Sequence, residues 1–373
     1  MNVAGFALRN LARRPVRTAL TVLSIALGVA AIVSLTAIAW GFEASWQQAS
    51  DARGTDLIVT RQASRNALPA PFVAAPVRQA LQRLPQVAGV AALLSELQSI
   101  DEAPPMFVFG WESGSFLWQH LRLAAGRWPA DDERALVLGT LAARMLGRAA
   151  GDTVSIEGQP FTVAGVYESP ALIENGAAIL PLPAMQALLE RPGKASVISV
   201  RLAPGATETD RQAVAERVRA EMPGFVALPS GELVRGNAMV RIAKAMSGAT
   251  MLIAGLVGTL VVLNAMLINV QERTAEIGVL RAAGWRGGRI VRLILVESGL
   301  LAAAGALAGV ALGMGGALAL AQLELLRGRI DPVFTPTLLA ASIGLALAIG
   351  AAGGAYPAWR AVRLSPAAAL RSA

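Results

Sequence analysis

The most specific spacing in this chain lies in Glu272-Arg273-Thr274-Ala275-Glu276-Ile277-Gly278-Val279-Leu280-Arg281-Ala282-Ala283-Gly284-Trp285-Arg286. Its chemistry is that of contact rather than bond-making. It is expected to begin as a charged helix leaving the preceding apolar run, small residues and a glycine then permit a tight turn, and a second short helix, Arg289–Glu297, is expected to lead into the next apolar run. A small-faced, arginine-flanked protrusion suits docking into a groove on another protein. A basic loop that only attracts anionic lipid would not require the ordered Glu-Ile-Gly and Arg-Ala-Ala-Gly elements.

The catalytic inventory is sparse. No segment matches Gly-x-x-x-x-Gly-Lys-[Ser/Thr], since Gly193-Lys194 lacks both the upstream glycine and the following hydroxyl residue. The single histidine, His120, excludes multi-histidine zinc sites. A Ser-His-Asp hydrolase would rest on that one residue without a Gly-x-Ser-x-Gly elbow, so His120 reads as structural. Cysteine is absent, which removes disulfides, thiolate metal sites and cysteine nucleophiles, and leaves the redox compartment undetermined. No catalytic and no metal site is expected.

Four long apolar runs must position the charged segment: 18–42, 245–271, 298–323 and 332–359. As helices rising about 1.5 Å per residue, each can cross a hydrocarbon core about 30 Å thick. A mean hydropathy of +0.53 with 16% charged residues agrees with a membrane protein rather than a soluble one. The first run is longer than a signal-peptide core and has no small-residue cleavage site before Trp40-Gly41-Phe42-Glu43, so it reads as a retained span. No run carries an ionisable residue at its centre, which argues against a proton-coupled carrier. The chain therefore has no evident energy source of its own, and an external one is expected.

The net charge of +8 could mark a nucleic-acid binder, but its distribution along the chain does not. Residues 1–17, 272–297 and 360–373 hold twelve arginines against three glutamates, or +9. Residues 43–244 hold 19 basic and 20 acidic residues, and 324–331 two of each, or −1. By the positive-inside bias, both termini and the 272–297 loop are expected in the cytoplasm, with 43–244 and the short 324–331 loop outside.

The region 43–244 has the composition of an α+β module. Strands are expected at Asp56–Thr60 and Ser196–Leu202, a hairpin at Thr153–Val166, and helices at Val77–Leu84 and Thr207–Met222. Two subdomains are expected, one from the flanks (about 55–120 and 195–228) and one inserted lobe (about 121–190). Phe42–Ala52 and Leu233–Lys244 could extend the first two spans outward as a stalk, with Phe42 and Trp46 at i and i+4 and Leu233 and Val240 near one face. Trp40 and Trp46 could equally be interfacial anchors. Gly305, Gly309 and Gly313, spaced four apart, expose backbone for close helix packing. Asn264, deep in the second span, calls for a hydrogen-bond partner. Thr335-Pro336 reads as an N-cap and N1 proline.

The 272–286 segment resembles the loop of MacB/FtsX-like ABC transporter permeases, the type VII, four-span mechanotransmission permeases, which typically runs Glu-Arg-x-x-Glu-Ile-Gly-x-Leu-Arg-Ala-x-Gly. Arg9–Thr18 is similar to that family's amphipathic leading segment. Gly126-Arg127, Leu138-Gly139, Gly151-Asp152-Thr153-Val154 and Phe161–Val166 are similar to its inserted lobe, and Tyr356–Ala361 with Ser365–Arg371 to its carboxyl-terminal signature. Trp285 and Gly287-Gly288 depart from the family's usual small-polar and basic residues.

The resemblance implies four transmembrane helices in a 1+3 arrangement, with a large extracytoplasmic α+β domain between helices 1 and 2, in the inner membrane. It also implies a dimer with a second copy or a paralogue, and two copies of a cytoplasmic ABC ATPase subunit in separate chains. ATP and Mg would sit on that ATPase and no cofactor on this chain. Coupling is expected at Glu272, Arg273, Glu276, Gly278, Arg281, Ala282, Ala283 and Gly284. Membrane lipid is a further partner, nucleic acid is not, and a periplasmic adaptor with an outer-membrane duct is left open. The implied function is export or extraction of an amphiphilic substrate at the periplasmic face. The alternatives are a non-transporting mechanotransmitter that activates a partner such as a cell-wall hydrolase, and a lipoprotein-release permease.

Overall fold

The computed structural model describes residues 15–62, 70–232, 238–323 and 331–363, together with residues 5, 7 and 9. The chain divides into two compact units, an α/β unit (Trp40–Ile242 with Ala321–Asp331) and a helical unit (Met1–Ala39, Ala243–Leu320 and Pro332–Ala373). Leu233, most of the leading segment, residues 324–330 of the short loop, and the tail from 364, with Ser365–Arg371, lie outside the described residues.

The first helix, α1 (Pro15–Ala52), carries neither proline nor a glycine pair after its first residue and runs unbroken past the apolar stretch. In the α/β unit, β1 (Leu57–Arg61) is followed by β2 (Phe72–Val73), α2 (Ala74–Gln82), β3 (Val87–Gln98) and β4 (Met106–Trp111). The inserted segment supplies β5 (Arg122–Gly126), β6 (Ala135–Gly139), α3 (Thr140–Leu146), β7 (Thr153–Ile156), β8 (Gln159–Glu168), α4 (Leu172–Asn175), β9 (Ala178–Pro181) and α5 (Leu182–Leu188). The chain returns through β10 (Lys194–Ala195), β11 (Val197–Leu202), α6 (Glu208–Glu221) and β12 (Phe225–Pro229).

The large sheet is ordered β12-β1-β11-β3-β4-β9-β6-β8-β5, with β7 paired to β8. Flank and inserted strands therefore share one sheet, joined where β4 and β9 run parallel, Val108 opposite Ala178 and Trp111 opposite Pro181. Around the junction of β4 and β9, alternation divides the sheet's apolar side chains between two cores. Leu94, Val108, Leu136, Leu138 and Leu180 face one, with α3 and α5; Leu93, Phe109, Trp111, Val137 and Ile179 face the other, with Trp46 of α1. The β7–β8 hairpin turns through Glu157 and Gly158, both at positive φ (51° and 75°), the geometry of a two-residue type I′ turn. Thr207 caps α6 with a complete capping box to Asp210.

The helical unit adds α7 (Ala238–Glu272), α8 (Thr274–Ala282), α9 (Gly287–Ala321) and α10 (Pro336–Arg363). Within α1, α7, α9 and α10 lie four spans long and apolar enough to cross a membrane. Small residues set the packing. A Cβ at Gly305 would lie 2.7 Å from Cβ of Ile25, one at Gly309 2.6 Å from Cβ of Val29, and one at Gly313 2.9 Å from Cβ of Val33, so α9 lies against α1 in a four-residue register. Ser34 Oγ donates to the Gly313 carbonyl at 2.8 Å. Thr335 Oγ1 accepts from the Leu338 amide at 3.1 Å, capping α10 behind the N1 proline.

Three expectations change. Arg289–Glu297 is not a separate short helix but the first part of α9, because nothing between Gly288 and Ser298 breaks a helix. The charged helix expected to leave the second span is cut at Arg273, whose backbone (φ −109°, ψ 17°) departs from helix. Asn264 is exposed on α7, and its side chain has no hydrogen-bond partner among the described residues.

Candidate coupling site

The segment 272–286 folds as a short helix with a defined stop. Glu276 in its first turn and Arg281 in its last both complement the helix dipole. The stop is a Schellman motif: the Trp285 amide donates to the Leu280 carbonyl at 3.0 Å and the Gly284 amide to the Arg281 carbonyl at 3.1 Å, with Gly284 left-handed at φ +86°. A Cβ at Gly284 would meet nothing within 4 Å, so glycine is favoured there by backbone conformation rather than by space.

The eight residues expected to couple divide between two faces. Glu272, Glu276, Ala282, Ala283 and Gly284 are exposed, with Val279 and Arg286 beside them, and form a continuous strip with small side chains at its tip. Gly278 is buried with Ile277, while Arg273 and Arg281 turn inward and are half-buried. Trp285 packs against the helical core, and a Cβ at Gly287 would lie 2.8 Å from Cγ1 of Val362.

Each inward or flanking charge reaches a different long helix. Arg17 of α1 grips Glu272 at the end of α7 with both terminal guanidinium nitrogens, at 2.8 and 2.7 Å. Arg273 donates Nε to Glu276 at 2.8 Å and Nη1 to Glu297 of α9 at 3.0 Å. Arg281 Nη1 donates to the Val362 carbonyl in the last turn of α10, where a cation is favoured. Arg17 and Glu297 are the functional candidates that sequence reasoning missed. Their only signal was charge at the ends of apolar runs, which exposed residues share.

A second polar cluster lies in the α/β unit. Arg53, directly after α1, donates Nε to Glu174 Oε1 at 2.6 Å, and His120 Nε2 lies 2.7 Å from Oε2, which also accepts from Ser169 Oγ. Burial alone would raise the Glu174 carboxyl, but the Arg53 charge and the His120 and Ser169 hydrogen bonds outweigh it and hold the group at about 2. His120 is thus a structural partner of Glu174. Nearby, Ser45 Oγ accepts from the Ile173 amide at 2.9 Å, and Trp46 meets Phe42, Phe107 and Phe109 edge-on. Trp46 is half-buried and packs against the α/β unit. Of the other two stalk candidates, Val240 lies on the backbone of α7 and Leu233 lies outside the described residues. Among the described residues, no cluster of His, Asp or Glu could hold a metal.

Two family models match the chain: the MacB-like periplasmic core domain over residues 18–221, and the FtsX-like permease C-terminal region over residues 248–366. The macrolide export ATP-binding/permease protein MacB of Nitrobacter winogradskyi is 30% identical, the alignment covering 98% of this chain and 60% of that protein. The pyoverdine export ATP-binding/permease protein PvdT of Pseudomonas aeruginosa is 29% identical, covering 95% of this chain and 56% of that protein. The periplasmic region of MacB from Actinobacillus actinomycetemcomitans superposes with a TM-score of 0.39 at 16% identity, over 48% of this chain and 91% of that one. The chain spans about 60% of the length of the curated relatives it matches. With a MacB-like core domain matching from its first apolar helix through residue 221 and an FtsX-like permease region holding the other three apolar helices, the chain belongs to the MacB/FtsX-like family of ABC transporter permeases.

Proposed function

We propose that this chain is the permease part of an inner-membrane ABC exporter, and that ATP hydrolysis by a nucleotide-binding partner on the cytoplasmic side is passed through α8 to the periplasmic α/β unit. The observation that carries this reading is the exposed strip ending at Ala282-Ala283-Gly284, on a helix that Arg281 ties to α10 and that follows directly on Glu272 and Arg273, which tie to α1 and α9. A small-residue tip allows close approach of a partner's backbone. The ties pass its displacement to the long helices instead of letting a loose loop absorb it. Helix α1 continues without a break from residue 15 to residue 52, so it can carry such a displacement outward.

The working unit would be a dimer of this chain with itself or a paralogue, with two nucleotide-binding subunits or domains beyond these 373 residues. ATP and Mg would bind there. The spans lack central ionisable groups, which favours an amphiphilic substrate taken at the periplasmic side over a polar one carried through the helices. The relatives' names mention two different cargoes, macrolide and pyoverdine.

Tagged chain purified in mild detergent from its native membranes should bring down an ABC-type ATPase whose hydrolysis rises on association. Recovery of the chain with no such ATPase would overturn the proposal.

A further inference from the structure

Glu297 is 1% exposed, although it stands where the sequence passes from a charged segment into an apolar run. Both carboxylate oxygens are engaged. Oε2 accepts from the Asn269 side-chain amide of α7 at 3.0 Å, and Oε1 accepts from Arg273 Nη1 at 3.0 Å. Asn269 lies before the break between α7 and α8, and Arg273 is the break. Arg273 also reaches forward to Glu276, so one guanidinium spans from the buried carboxylate to the first turn of α8. Met266, Val270, Ile277 and Ile294 enclose the group in the helical core, where an unpaired charge is costly.

From this geometry we infer that Glu297 is a positioning residue for the coupling helix. It holds the bend at Arg273 at one angle and so determines where the 282–284 tip stands relative to α9. Because Glu297 belongs to α9, a push on α8 moves the start of that span with it. The inference rests on reading α8 as the docking element. Removing the clamp should leave the tip's surface intact, so a partner still binds, while its displacement is absorbed at the loosened bend.

The test uses the full chain, whose lack of cysteine makes labelling clean. In Glu297→Gln, association with the co-purified ATPase should persist, whereas permease-stimulated hydrolysis should fall about tenfold, within the range by which network residues modulate coupling. Nitroxides at Ala283→Cys and Leu307→Cys, measured by pulsed electron resonance without the ATPase, should give a narrow distance distribution in the parent and a broad one with Glu297→Gln. Should Glu297→Gln fail to reach the membrane fraction, Asn269→Leu removes a donor to Glu297 without unpairing Arg273 and carries the same expectations.

Unchanged hydrolysis with an unchanged distance distribution would overturn the inference. So would joint loss of association and stimulation, which marks a merely structural role. If the ATPase is bound equally well by an Ala283→Arg chain, the docking reading fails instead, and the distance measurement still decides whether Glu297 sets the bend.

Discussion

Arg53 and Glu174 form a buried ion pair at 2.6 Å across 121 positions of sequence, fastening the residue that follows α1 to a short helix of the inserted segment. The side chains are 8% and 0% exposed, and the guanidinium also lies over the rings of Phe109 and Trp111. The pair, with His120 and Ser169, makes the carboxyl-terminal end of α1 part of the α/β unit.

Acid should release this fastening. Glu174 is held at about 2 against an ordinary carboxylate value of 4.5. A depressed carboxylate stabilises the fold above its unfolded value and loses that contribution as pH falls through its folded value. The α/β unit should therefore keep this contribution above about pH 4.5 and lose it progressively towards pH 2. Tryptophan fluorescence of the solubilised chain during acid titration reports it. In Glu174→Gln this part of the acid dependence should disappear, and stability at neutral pH should drop by about 3–5 kcal/mol because Arg53 is left buried and unpaired.

Ala283→Arg should abolish binding of the ATPase partner without harming the helical unit. Residue 283 is exposed, so the added side chain meets solvent in the free chain and the partner's surface in the complex. Overpacking alone costs about 1–3 kcal/mol at a closed contact. Pull-down of the ATPase alongside thermal melting of the permease separates the two; full binding by the variant would remove Ala283 from the interface.

Gly284→Ala should destabilise the end of α8 by about 1–2 kcal/mol through its left-handed backbone alone. Gly284→Asn should cost less, because asparagine tolerates that conformation. Equal melting temperatures for all three chains would contradict the Schellman stop.

Gly309→Val should disrupt the packing of α9 on α1, since even a Cβ there falls 2.6 Å from Val29 and 2.7 Å from the Ala26 carbonyl. Gly315→Ala, on the same helix with nothing within 4 Å, serves as the control and should be neutral or slightly stabilising. Melting of both variants in detergent tests the register directly.

The +9 and −1 distribution of charge predicts the sidedness of each segment. Single cysteines at Glu157 and Ala282, both exposed, should react differently with a membrane-impermeant thiol reagent applied from the periplasmic side. Position 157 should label and 282 should not; the reverse pattern would invert the topology.

Much of the architecture is local and was legible in the residues. Crossing helices are visible because length and absence of charge can be counted along a line. Glu157-Gly158 marks its hairpin, Thr207 with Asp210 its helix start, and Gly284 its helix stop, because each acts within a few residues of itself. The four-residue spacing of Gly305, Gly309 and Gly313 likewise announces a face for close approach. It could not name Ile25, Val29 and Val33 of α1 as what fills that face.

Only the tertiary structure decided which charges are buried. Arg53, His120 and Glu174 come from three separate segments, and each alone has the character of a surface residue. Glu297 and Arg273 read as parts of a basic loop, yet both turn inward, while Ala282 and Ala283, which composition alone would bury, stand exposed. A charged side chain is stable inside only where a partner from elsewhere in the chain meets it, and that pairing has no periodicity to read. The same holds for the parallel neighbours β4 and β9, brought together by the fold and not by any adjacent turn. Sequence thus determined the kinds of element and the small-residue turn at 282–284; long-range burial and pairing decided which residues of 272–286 stand exposed and which turn inward.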